Sequence, residues 1–404
     1  MKVLHLSYND INGGAARAAF RLHESLTREG IESCLLVVNN YSEKNNVVCI
    51  SPVKKFIIES FNFVTKKLTP FVSDEVSEQI SYNLASPSIS KIINAMQPDV
   101  VNLHWIGAGM VSFNDLSKIK APIVWTMHDM WPFTVGKHYA PDFAYYNDEQ
   151  LKRETKSDLF ARLTLYQRRR FYNLKKCTLV SPSRWLAHEA AQSKLTRHQK
   201  IKVIQNTIDH NRYFPLEKEK SIEILNLKKG KITFSFGAVL SEDDPRKGFH
   251  YLKKAIKNLS NDDKSKIQLV VFGSKRKEEN TLYGIDVRYL GSVKEDDDLR
   301  LIYNASDYFI APSVQDNLPN TVVESLACGT PVIAFKIGGM TDLITNGRNG
   351  LLAKNVDDRS LQLCLEKAIE SKFCRFKIHN ESREKRDLNK IAQQYIELYK
   401  EISD

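Results

Sequence analysis

The sequence predicts an α/β protein made of two doubly wound halves. Three observations carry that prediction. The chain has 404 residues, more than one ordinary core organises. Short apolar runs of strand type alternate with longer stretches of helical period, the pattern of repeated βαβ units. Several of the apolar runs end in glycine or in polar residues. In an open parallel sheet, the residues just past the carboxyl ends of the strands line the ligand crevice.

Composition narrows the function. Hydrophobic residues make up 42% of the chain, a globular share. No apolar run reaches the ~20 residues that a membrane-spanning helix needs. The start, Met1-Lys2-Val3-Leu4-His5-Leu6, reads as a first strand and not as a signal peptide, having no long apolar core or cleavage site. Cysteines 34, 49, 177, 328, 364 and 374 are scattered, which argues against a zinc site or disulfide framework and fits a reducing cytosol. Lys and Arg number 59 against 48 Asp and Glu, a net charge of +11. That excess suits nucleic acid, an anionic membrane surface or an anionic small molecule. No nucleic-acid motif is present, so a membrane surface together with a nucleotide diphosphate is favoured and nucleic acid is not expected.

In the first half, strand Val3 to Tyr8 leads through Asn12-Gly13-Gly14 into a helix, Ala15 to Arg28, with Ala15, Ala18, Ala19, Leu22 and Leu26 on its buried side. A strand, a glycine turn and a helix let backbone approach a phosphate or sugar, but they also make a tight turn in any doubly wound sheet. The next strand is Ser33 to Val38. Residues 54–72 carry Phe56, Ile57, Phe61, Val64 and Leu68 at roughly helical spacing, bracketed by Lys54, Lys55, Lys66 and Lys67. Such a helix either turns its stripe to the core or lies on an anionic membrane. Asp99 to Trp105 and Ile123 to Met127 are buried strands that run out into His104-Trp105 and His128-Asp129. Residues 149–176 are charged and helical in character, with Arg168-Arg169-Arg170 expected on a solvated face or against an acceptor pyrophosphate or membrane. Strand Thr178 to Ser183 follows, and the sequence turns charged near Arg212 to Lys220.

The second half opens with strand Ile232 to Phe236, a polar loop containing Arg246-Lys247-Gly248, and a helix from Phe249. Strands Ile267 to Phe272 and Val287 to Leu290 come next. The helix from Glu295 to Asn304 begins with Asp296-Asp297-Asp298; acids at a helix N-terminus are expected on dipole grounds, so no metal is assigned to them. Strand Asp307 to Ala311 runs into a loop, Ser313 to Asn317. A short helix follows, with Asn317 or Asn320 as N-cap and Gly329 as the left-handed stop. Strand Pro331 to Phe335 and the turn Gly338-Gly339 complete this unit. The tail from Leu388 to Ile402 is a final amphipathic helix.

Asp316 and Glu324 sit in that short unit as Asp316-x7-Glu324. The helix N-terminus at Asn320 and Thr321 suits a phosphate, and an acid one turn in can accept hydrogen bonds from paired ribose hydroxyls. On spacing alone the two acids are equally a cap and a dipole-favoured first-turn residue. With Ala327-Cys328-Gly329-Thr330-Pro331-Val332 and Gly338-Gly339, the segment resembles the C-terminal signature of family 4 glycosyltransferases of the GT-B fold. The first acid of that signature is usually Glu; Asp316 keeps the carboxylate with a shorter reach. The resemblance is specific for the family and not for the sugar. His104-Trp105 and the run His128-Asp129-Met130-Trp131 resemble the members of the family that make bacterial surface polysaccharides (capsule, O-antigen, exopolysaccharide).

The resemblance implies two Rossmann-like domains facing across a cleft, 1–212 for the acceptor and 213–387 for the donor, with 388–404 returning to the first. It implies retaining, metal-independent transfer of a sugar from a UDP- or GDP-sugar to a saccharide acceptor, by analogy one linked to undecaprenyl diphosphate, on the cytoplasmic face of the membrane, with no cofactor. His128 matches a histidine that contacts the transferred sugar. His104-Trp105 matches a narrower subgroup. Gly13 and Gly14 fall near the donor phosphate or the acceptor. Family members often carry Arg directly after the first glycine of the second domain; Ala238 stands there, so Arg246 with Lys247 is assigned to the diphosphate. His128, Asp316 and Glu324 are the catalytic candidates, with Glu324 also on the ribose. A nucleotide-sugar epimerase of the same fold and a catalytically silent assembly scaffold remain as alternatives.

Overall fold

The structure, a computed structural model, describes residues 1–72, 80–139, 155–156, 158–237, 244–274, 279–293 and 295–403. The chain divides into two compact units, Met1–Asn206 with Asn389–Asp404, and Thr207–Leu388. Both contain a seven-stranded sheet.

The first sheet has strands β1 Lys2–Asn9, β2 Glu32–Asn39, β3 Val47–Cys49, β4 Val100–Leu103, β5 Ile123–Thr126, β6 Cys177–Ser181 and β7 Lys200–Val203. Their spatial order is β3-β2-β1-β4-β5-β6-β7, all parallel. The strand order reverses between β1 and β4, so the ends of these strands flank the switch point where ligands bind in such sheets. The pleat sorts side chains by parity. Leu4, Leu6, Val101, Leu103, Ile123, Trp125 and Leu179 enter one core cluster. Val3, Val100, Val124 and Val180 enter another with Leu22 and Leu26 of the Gly14–Arg28 helix. The C-terminal helix Leu388–Ser403 closes that second face with Ile391, Tyr395, Ile396 and Tyr399. It is pinned by Asn102 Nδ2 donating to Tyr399 Oη at 2.6 Å and by Lys202 Nζ to Glu401 Oε2 at 2.6 Å.

The second sheet has β8 Ile232–Gly237, β9 Ile267–Phe272, β10 Glu279–Leu282, β11 Ile285–Tyr289, β12 Tyr308–Ala311, β13 Val332–Phe335 and β14 Gly350–Ala353, in the order β10-β11-β9-β8-β12-β13-β14. Only the edge pair β10–β11 is antiparallel. Its switch point lies between β8 and β12. Phe234, Phe236, Leu269, Val271, Ile310, Ile333 and Phe335 fill one face, and Val270, Phe272, Phe309, Ala311, Val332 and Ala334 the other. The short edge strands β3, β10 and β14 carry too few alternating residues to be read from sequence, and they were not expected.

Candidate active site

In the second unit, the loop after β8 and the loop after β12 meet beside the switch point. Pro245–Lys247 forms a single tight turn, capped by Asp244, whose Oδ1 accepts from Arg246 N at 2.9 Å. Gly248 follows at φ 72, and a Cβ there would lie 1.8 Å from Pro312 O, so the turn packs backbone on backbone against the β12 loop. Val314 N donates to Arg246 O at 2.9 Å and completes the seam.

Asp316 is the centre of this group. Its Oδ2 lies 2.7 Å from Lys247 Nζ and 3.6 Å from Arg246 Nη1, and accepts from Ser313 Oγ at 3.3 Å. Its Oδ1 accepts from Asn317 N at 3.1 Å. Burial alone would raise the Asp316 pKa; Lys247 and then Arg246 outweigh it and hold the carboxyl below its ordinary value. Arg246 also donates to Gln315 O at 3.0 Å and to Asp244 Oδ2 at 3.2 Å. The Asp316 side chain is only 8% exposed, against 28% for Arg246 and 19% for Lys247. The cations are thus the accessible members, and the carboxylate behind them fixes their direction. Gly339 N donates to Asp316 O at 3.2 Å, which brings the Gly338-Gly339 turn to the same place.

The Asn320–Ala327 helix begins next to this group. Its N-cap is Pro319, with no side-chain cap, and Asn320 is its first residue; the expected cap at Asn317 or Asn320 is not formed. Proline holds φ at −65 here without strain, and its carbonyl accepts from Val322 N at 3.1 Å and Val323 N at 3.2 Å to start the helix. Thr321 follows in the first turn. Glu324 is buried at 2%, and its Oε2 accepts from Tyr303 Oη at 3.0 Å. Burial first, and then the Glu324 charge, push the Tyr303 phenol well above its ordinary pKa, so it stays a donor. Tyr303 is held by Thr330 Oγ1 donating to its carbonyl at 2.6 Å. Sequence reasoning missed Tyr303, whose only signal is an apolar-face position on the Asp296–Ala305 helix. Ala238 lies outside the described residues.

In the first unit, Gly13 is the N-cap of the Gly14–Arg28 helix at φ 104, with nothing within 4 Å of a notional Cβ, so the glycine loop borders open space. His104 and His128 follow β4 and β5. His104 Nδ1 lies 3.0 Å from His128 Nε2, and His104 Nε2 lies 3.0 Å from Nδ1 of His5 on β1. Burial lowers the His128 pKa to about 4, against a smaller opposing pull from Asp129. Asp129 itself accepts from Trp131 N, from Trp105 Nε1 at 3.1 Å, and at 2.6 Å from His138 Nδ1. His138 Nε2 meets Ser81 Oγ at 2.9 Å. Ser81, His138 and Asp129 thus follow the bond order of a hydrolytic triad. All three are buried and Ser81 Oγ accepts the Ala108 amide at 3.1 Å, so the group anchors the loop after β5.

Two expectations change. Arg168 does not lie on a solvated face or against an acceptor: it is fully buried, 4.5 Å from the Phe113 ring centroid and 4.4 Å from that of Trp131, and donates to Trp131 O. Its planar guanidinium stacks where a lysine would not. Only Arg169 and Arg170 are exposed. Residues 54–72 lie in the Pro52–Val72 helix, but the stripe does not face the core: Phe56 is 70% exposed, and Phe61, Phe63, Val64 and Leu68 are exposed with it, while Ile58 is buried.

Both halves match known families. Residues 12–212 match the model described as Glycosyltransferase Family 4, and residues 217–390 the model described as Glycosyl transferases group 1. The chain belongs to the family 4 glycosyltransferases. An uncharacterised glycosyltransferase of Methanocaldococcus jannaschii is 23% identical over 96% of this chain and 95% of its own. The capsular polysaccharide biosynthesis glycosyltransferase CapM of Staphylococcus aureus is 26% identical over 54% of this chain and 58% of its own. A Campylobacter jejuni N,N'-diacetylbacillosaminyl-diphospho-undecaprenol alpha-1,3-N-acetylgalactosaminyltransferase is 29% identical over 29% of this chain and 31% of its own. Among solved structures, Anabaena HepE in complex with UDP-glucose superposes with a TM-score of 0.67 at 18% identity, covering 99% of this chain and 100% of that one. This glycosyltransferase therefore has the GT-B fold of two Rossmann-like domains. Among the described residues no helix is long and apolar enough to cross a membrane.

Proposed function

We propose that this glycosyltransferase moves a hexose, with retention, from a UDP- or GDP-sugar to a lipid-linked saccharide in bacterial surface-polysaccharide synthesis. The observation that carries the donor half is the accessible Arg246–Lys247 pair, oriented by buried Asp316 beside the Asn320–Ala327 helix N-terminus. Arg246 and Lys247 neutralise the departing diphosphate, and the Asn320 and Thr321 amides add the helix-end field. With these two cations at the diphosphate, no divalent metal is expected. Glu324, one oxygen of which accepts from Tyr303, receives the ribose hydroxyls. Asp316 takes sugar hydroxyls as further donors, and His128 contacts the transferred sugar. Among the described residues no side chain is assigned as a nucleophile. The C1–phosphate bond breaks, the acceptor oxygen bonds to C1 on the same face, and the acceptor proton passes to the leaving phosphate. The UDP-glucose held by HepE and the undecaprenol-linked acceptor of the Campylobacter relative support these substrate classes.

The exposed aromatic stripe of the Pro52–Val72 helix, with Lys54, Lys55, Lys66 and Lys67, supports peripheral attachment to an anionic cytoplasmic leaflet, where a lipid-linked acceptor lies.

Thermal stabilisation by a panel of UDP-, GDP- and ADP-sugars in EDTA tests the donor site. One nucleotide class should raise Tm, and Arg246→Ala/Lys247→Ala should abolish the rise. Stabilisation that requires added metal, or survives the double substitution, overturns the assignment. Transfer with inverted anomeric configuration in the product overturns the retaining reading.

A further inference from the structure

Three imidazoles of the first unit form a hydrogen-bonded row. His5 Nδ1 lies 3.0 Å from His104 Nε2, and His104 Nδ1 lies 3.0 Å from His128 Nε2. The rings stack at centroid spacings of 5.3 Å in both pairs. His5 and His104 are buried, and burial first, with their histidine neighbours next, lowers both pKa values well below the ordinary one. At neutral pH all three rings are uncharged.

An uncharged imidazole carries one N–H. His104 uses both nitrogens in the row, so it donates on one side and accepts on the other. The row therefore has two neutral forms. In one, His5 Nδ1–H donates to His104 Nε2 and His104 Nδ1–H donates to His128 Nε2. In the other every bond is reversed, and the proton of His5 sits on Nε2. His5 Nε2 is a buried atom with no hydrogen-bond partner among the described residues. The second form strands an N–H there; the first leaves only a lone pair. Buried orphan N–H groups are the rarer defect, because a donor without an acceptor forfeits a strong directional bond. The first form is favoured.

We propose that His5 and His104 are positioning residues that hold His128 as the Nδ1–H tautomer, so that it meets the sugar as a hydrogen-bond donor at Nδ1 and not as a base. The ligand atom that fits is an oxygen with a lone pair, such as a hydroxyl of the transferred sugar. The catalytic consequence rests on the proposed role of His128. The tautomer itself does not, since it is defined in the free protein.

The test uses the full chain labelled with ¹⁵N-histidine, without substrate, at neutral pH. Two-bond ¹H–¹⁵N correlations report the tautomer, and His128 is identified by the signals lost in His128→Gln. A protonated Nδ1 and a lone-pair Nε2 are expected; the opposite pattern overturns the proposal whatever the enzyme's substrate. His104→Asn keeps an N–H where Nδ1 stood and should retain the tautomer and most of kcat. His104→Leu should release His128 toward Nε2–H and lower kcat by roughly 10- to 100-fold with little change in donor KM. An unchanged His128 tautomer in His104→Leu also overturns it. Should that variant not fold, the wild-type spectrum still decides.

Discussion

Tyr303 donates to Glu324 at 3.0 Å inside the core, and the pair shows how one buried carboxylate is kept usable. The phenol satisfies one oxygen and sets the plane of the group. Tyr303→Phe leaves that oxygen unsatisfied and should cost about 1–3 kcal/mol, read as a lower Tm, with a raised donor KM from the loosened carboxylate. His128 makes a separate prediction. Its folded pKa is about 4, below the ordinary histidine value of about 6.5. Between these values the unfolded chain binds the extra proton, so stability is full above the upper value and falls as pH drops toward the lower one. A Tm series should show that loss, and it should shrink in His128→Gln; a parallel series would show that His128 does not titrate this way. Asp316 and Glu324 were singled out by the resemblance of their segment to a family signature; their spacing alone left a cap and a first-turn acid equally open. Tyr303, His5 and His138 were not, because an isolated Tyr or His in an apolar run looks the same whether it packs or holds a neighbour.

At the scale of elements, the two loops that build the donor group depend on contact between backbones. Gly248 sits in the left-handed region with Pro312 O where its Cβ would go. Gly248→Ala should therefore part the Pro245–Lys247 turn from the β12 loop. Donor-induced stabilisation should weaken at least tenfold in apparent Kd, along with a loss of Tm. Gly13→Ala meets no neighbour and is opposed only by its φ of 104, so its cost should be smaller. The Pro52–Val72 helix gives a third test. Phe56→Ser/Phe63→Ser removes two exposed aromatics and should leave Tm unchanged while reducing co-sedimentation with anionic vesicles. Equal binding of both proteins would turn the stripe into something other than a membrane face. Helical spacing showed that stripe; it did not show which way the stripe pointed. Direction depends on Ile58 finding the core, a long-range packing event.

For the whole molecule, the decisive element is the last one. The Leu388–Ser403 helix supplies Ile391, Tyr395, Ile396 and Tyr399 to a core face that also takes residues from β1, β4, β5 and β6, from the first helix, and Ile204 just past β7. Deleting residues 389–404 should expose that face and leave Asn102 without its Tyr399 partner, giving aggregated protein on expression. Tyr399→Phe, a gentler change, should lower Tm by an amount matching one buried hydrogen bond, about 1 kcal/mol.

The class of fold follows from the amino-acid order alone, because alternating apolar strands and amphipathic helices admit few solutions. So does the family, because Asp316, Glu324 and the glycine turns around them lie within one short contiguous segment. What each charge does depends on contacts made in the folded chain. Arg168 reads as surface until Phe113 and Trp131 close on it, and Asp316 reads as a lone acid until Lys247 arrives from the Pro245–Lys247 turn far earlier in the chain. The row from His5 through His104 to His128 joins β1 to the residues just past β4 and β5, segments that are distant in sequence and adjacent only through the order β1-β4-β5. Local pattern records what a residue is next to along the chain; burial and pairing are set by what crosses over to meet it.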